Sequence, residues 1–96
     1  MSDFSFVLPA DFADREWEVE AKGWFPGAVM IVSGKCYQLI FYDPVRLGQE
    51  IASQLERGSI FFEPNLVVVK SVTGPNMEQA ARQLAESDQV KFLVPD

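Results

Sequence analysis

Asp14, Glu16, Glu18 and Glu20 recur at every second position. On a β-strand this spacing puts all four carboxylates on one face, about 7 Å apart. Such a stripe would steer a basic partner by long-range attraction. The same spacing opposes a calcium site, because Ca²⁺ takes roughly six to eight oxygens from a curved loop while strand carboxylates project in parallel. The charge is concentrated here. Residues 1–20 hold six acids (those four with Asp3 and Asp11) and one base, Arg15, a net of −5 out of −6 for all 96 residues. Just beyond the stripe, Trp24 and Phe25 stand beside Pro26-Gly27, two large apolar side chains at a turn, and tryptophan is enriched among interface anchors. Asp14, Glu16, Glu18, Glu20, Trp24 and Phe25 are therefore the candidate partner-binding residues.

Other patterns carry less chemistry. The chain contains no His and a single Cys36, which removes Ser-His-Asp and Cys-His catalysis and leaves zinc without its usual ligands. Cys36, with only Lys35 to activate it, reads as a small buried hydrophobe. Val29-x4-Gly34-Lys35-Cys36 misses a phosphate-binding loop twice, at its first glycine and at its metal-binding hydroxyl. Thr73-Gly74-Pro75-Asn76 reads as a helix cap, although free amides there would suit an anion. Tyr37, Tyr42 and Glu63 could line a small-molecule cleft between sheet and helices, the alternative to a protein-binding role. Nothing points to a cofactor or a metal. The eight basic residues are scattered singly in an acidic chain, which disfavours nucleic acid.

These residues need elements to hold them. Alternation of Trp17, Val19 and Ala21 with Glu18, Glu20 and Lys22 predicts a half-buried strand over 17–22. A Pro-Gly turn, a strand over 28–32, a Ser33-Gly34 turn and a strand over 36–42 complete a meander. Asp43-Pro44 opens a helix over 44–57, with Leu47, Ile51 and Leu55 four apart and Gly58 as its stop. Gly48 inside it costs about 1 kcal/mol relative to Ala, which suggests a close approach to the sheet. Strands over 59–62 and 66–72, a helix over 75–86 with Met77, Ala80, Ala81 and Leu84 on one stripe, and a last strand over 90–94 follow.

Ninety-six residues form one domain, 1–96, able to bury a core without disulfides. The class is α+β, a two-layer sandwich with a mainly antiparallel sheet and two helices on one face. The βαββαβ order over 36–94, carrying an N-terminal β-hairpin, resembles a ferredoxin-like sandwich. That resemblance is to a fold, which hosts unrelated activities. MSDFSFVLPADF offers no cationic or long apolar leader, and no run approaches a membrane span, so the expected protein is cytoplasmic, with no membrane partner. Its expected function is non-enzymatic: an acidic module that binds a protein partner, in one form neutralising a basic protein as immunity-type proteins do. A homodimer through Trp24 and Phe25 is also expected, since two-fold assemblies are the commonest oligomers.

Overall fold

The computed structural model describes residues 3–96. It is a small α+β fold, with a four-stranded mixed sheet and three helices. In chain order the elements are β1 (Phe4–Val7), α1 (Phe12–Lys22), β2 (Trp24–Val32), β3 (Lys35–Tyr42), α2 (Pro44–Glu56), β4 (Leu66–Val68) and α3 (Gly74–Glu86), followed by a 3-10 helix at Asp88–Phe92. The strands lie in the order β1-β2-β3-β4, antiparallel except for the parallel pair β3–β4. No helix among the described residues is long and apolar enough to cross a membrane.

The expected strand over 17–22 is instead the second half of α1. Alternation misleads here because Phe12, Glu16 and Val19 also recur at helical spacing, and the intervening Arg, Glu, Ala and Lys are strong helix formers. Ion pairs one turn apart, Arg15–Asp11 at 3.6 Å and Lys22–Glu18 at 3.2 Å, brace the helix. Gly23 ends it at φ 70°, its N–H donating to the Val19 carbonyl. The N-terminal hairpin is thus replaced by a β1–α1 unit, and the meander starts at Trp24.

β2 and β3 form the central hairpin. Ser33 and Gly34 turn it with φ of 52° and 81°, the type I′ geometry that matches strand twist. Near its other end, Phe25 pairs with Phe41 and Ala28 with Leu39, so two residues of β2, Pro26 and Gly27, oppose one of β3, Ile40. Pro26-Gly27 is therefore a bulge rather than a turn, a place where a strand tolerates Pro.

Phe25, Ala28, Met30 and Val32 of β2 and Tyr37, Leu39 and Phe41 of β3 point into one core with Phe12 and Val19 of α1, Val72, and Met77 and Ala81 of α3. Val67, Val69 and Leu84 pack against it. α2 contributes no residue to this core, so the Leu47, Ile51 and Leu55 stripe lies outside it. Gly48 makes no close approach either, since a Cβ there would meet no atom within 4 Å.

Two more expected strands are absent. Residues 59–62 are irregular and 90–94 lie largely in the 3-10 helix. The β3 edge beyond the short β4 is occupied instead by Asn65 and the C-terminal tail. Asn65, at φ 58°, donates through Nδ2 to the Gln38 and Val94 carbonyls at 3.1 and 2.8 Å and accepts through Oδ1 from the Val94 N–H at 2.8 Å. The Asp96 N–H donates to the Cys36 carbonyl at 2.8 Å. A βαββαβ succession does occur, but over residues 4–68, and β1 and β2 are direct neighbours, whereas the split βαβ pattern places a strand between them.

Candidate protein-binding surface

Because residues 14–20 are helical, the four carboxylates do not share a face. Residues two apart on a helix point about 200° from each other. Asp14 and Glu20 are exposed, whereas Glu16 and Glu18 are half-buried and engaged. Glu18 pairs with Lys22. Glu16 reaches across to α3, where Oε2 accepts a hydrogen bond from the Gly74 N–H at 3.2 Å.

That contact accounts for the start of α3. Thr73 Oγ1 accepts from the Asn76 N–H at 3.3 Å, its carbonyl accepts from the Met77 N–H at 2.9 Å, and Pro75 has no N–H to satisfy. A protein carboxylate thus already occupies the place an anion would take. Replacing Glu16 by Ala should cost about 1 kcal/mol, the usual value of a capping side chain, and lower the urea midpoint. An unchanged midpoint would show that this bond contributes nothing to stability.

Trp24 and Phe25 diverge as adjacent strand residues must. Phe25 is 8% exposed and meets Phe12 edge to face at a centroid distance of 5.2 Å. It is a core residue, which corrects its assignment as a partner contact. Trp24 is half-buried under the Arg46 guanidinium, 5.7 Å from the ring centroid, and its indole Nε1 is buried with no acceptor among the described residues. A groove of about 290 Å³ lies between α1 and the start of β2, lined by Pro9, Arg15, Val19, Lys22, Trp24 and Pro26.

The pair considered for a ligand cleft does meet. The Tyr42 hydroxyl donates to Glu63 Oε1 at 2.6 Å, and the Tyr42 ring stacks edge-on against Phe61. Burial, reinforced by Glu63 and Glu50, pushes the Tyr42 phenol well above its usual value. Each group satisfies the other. Tyr37 points the opposite way, into the core. Cys36 is exposed rather than buried, because its neighbours Tyr37 and Leu39 take the core-facing positions of β3. No group of three or more His, Cys, Asp or Glu among the described residues is placed to hold a metal ion.

Trp17 is the residue that the strand assignment concealed. It is 74% exposed and lies on the side of α1 away from buried Phe12 and Val19. Ala13 and Ala21 sit one turn to either side, and Asp14 and Glu20 stand three residues before and after it. The small residues leave the indole standing clear. Helical spacing around Trp17 was the signal available in the sequence.

No protein-family model matches the chain, and comparison with curated proteins and with solved structures likewise finds no match.

Proposed function

We propose that this chain is a non-enzymatic module that presents the outer face of α1 to a basic protein partner. The neutralisation of a cationic enzyme site, as immunity-type proteins do, is its concrete form. The observation that carries the reading is the exposed Trp17 between Asp14 and Glu20. Charged residues alone would serve solubility, but an indole held out from a rigid helix by small neighbours is an anchor for a partner. Its ring face attracts a lysine or arginine, worth about 0.5–2 kcal/mol, and the flanking carboxylates supply hydrogen-bond acceptors for the same cation. The net charge of −6 favours a basic surface and opposes nucleic acid.

Affinity purification with the full chain, followed by association kinetics on the recovered partner, tests the proposal. Trp17→Ala should weaken binding by about tenfold or more, the range of interface anchors, with an unchanged circular dichroism spectrum. Asp14→Lys with Glu20→Lys should slow association and flatten its salt dependence. Wild-type affinity in both variants would reject the surface. A specific small-molecule stabilisation in a thermal-shift screen, with no protein partner recovered, would instead support the ligand-binding alternative.

A further inference from the structure

The sides of α2 are unusual for a helix on a small domain. Its half-buried side carries Arg46, Glu50, Ser53 and Gln54 alongside Leu47 and Ile51, while Val45, Gly48, Ala52 and Leu55 lie on the exposed side. Val45 is 70% and Leu55 59% exposed. No residue of α2 is buried, although a helix of this length depends on packing for its stability. We infer that this outer face of α2 binds α2 of a second copy of the chain, antiparallel across a two-fold axis.

Four observations select a second copy as the occupant. The face is self-complementary: its residues are spaced three, four and three apart, an order that reads the same in both directions. Antiparallel pairing about the level of residue 50 therefore sets Val45 of each copy against Leu55 of the other and Gly48 against Ala52, the isologous pattern of a two-fold interface. Secondly, Gly48 disfavours helix, and nothing within its own chain requires it, because the space around it is open. The backbone of a second helix at close range would require it, since interaxial distance depends on the side chains at the contact.

The third observation is charge. A chain of net charge −6 repels its own copy, yet residues 43–62 carry Arg46 and Arg57 against Asp43, Glu50 and Glu56, a net of only −1. The acidic excess lies in the first 20 residues. Antiparallel pairing also brings Arg57 of each copy to the Asp43 end of the other helix. The fourth is area. Val45 and Leu55 stand exposed on this face, and Ile60 and Phe62 are exposed on the segment that follows it; the four residues together leave on the order of 500 Å² uncovered, against the roughly 800 Å² per partner of a standard interface. A rim including Gln49, Glu56 and Ser59, all exposed, supplies polar area toward the difference.

Sedimentation velocity on the full chain from about 1 to 100 µM tests this, because a reversible dimer shows a concentration-dependent mass. The wild type should reach the dimer mass. Gly48→Leu, which improves helix propensity and has room in the single chain, should raise the dimer dissociation constant at least tenfold while keeping the helical spectrum. Ala52→Glu should act in the same direction by placing a charge at the centre of the contact. Trp17→Ala should leave the dimer intact, which separates this surface from the α1 surface of the proposed function. A monomeric wild type at the highest concentration, a Gly48→Leu dimer as tight as wild type, or a dimer dissociated by Trp17→Ala would each overturn the inference.

Discussion

Truncating Phe41 to Ala should cost about 3–5 kcal/mol, the range for removing a buried aromatic ring from a packed core. Phe41 is fully buried near the end of β3, paired with Phe25 of β2 on one side and Val67 of β4 on the other. It faces Phe6 edge to face at 6.4 Å and lies in the core with Met30, Leu39 and Met77. Elements from both ends of the chain meet there, so the cavity cannot close by moving one loop. A domain of this size has about 5–15 kcal/mol of stability, and the variant should lie near the low end of what still folds at room temperature. Ile51→Ala is the contrast. Ile51 is half-buried and lies outside the core, so the same measurement, urea unfolding at a concentration where the chain is monomeric, should return about 1 kcal/mol. Equal losses at the two positions would place α2 in the core after all.

Replacing Gly23 by Ala should cost about 2–4 kcal/mol from two separate sources. The first is backbone. Gly23 closes α1 at φ 70°, where an L-residue carries a steric penalty of roughly 1–2 kcal/mol. The second is contact. A Cβ at this position would run into the Asp43 carboxylate, whose Oδ1 accepts from the Arg46 N–H at 2.7 Å to cap α2, while the Asp43 N–H donates to the Gly23 carbonyl at 2.9 Å. The side chain cannot retreat without loosening that cap, so one methyl group would disturb the end of α1 and the start of α2 together. Gly58 is the control: it has φ 81° but open space around it, and Gly58→Ala should show the backbone penalty alone. A Gly23→Ala urea midpoint no lower than that of Gly58→Ala would remove Asp43 from the account.

The elements legible in the sequence were those whose ends carry their own chemistry. Asp43-Pro44 set the start of α2 at Pro44, Thr73 and Pro75 set α3 to within one residue, and the Ser33-Gly34 turn set β3 likewise. Failures fell where two local patterns fit the same letters. Residues 17–22 alternate and are also good helix formers, and the period of two prevailed over Gly23 and the spaced ion pairs that favour a helix. Residues 59–62 have strand composition but pair with no strand of the sheet, and along the β3 edge Asn65 and the last residues of the tail stand where a strand over 90–94 is expected. The candidate site is affected most, because a wrong period exchanges faces: a period of two sets Trp17 on the same face as Val19, whereas on the helix Val19 is buried and Trp17 is exposed.

The sequence by itself determined the α+β class, the absence of histidine chemistry, the concentration of negative charge in the first 20 residues and the bounds of α2 and α3. All of these depend on composition or on residues close along the chain. Only the tertiary structure decided the strand order, the capping of α3 by Glu16 from 58 positions away, the exclusion of α2 from the core and the exposure of Trp17. Hydrogen bonds and packing between distant segments set these features, and many pairings satisfy the same local propensities. Which pairing prevails depends on how the whole set of apolar faces can be buried at once.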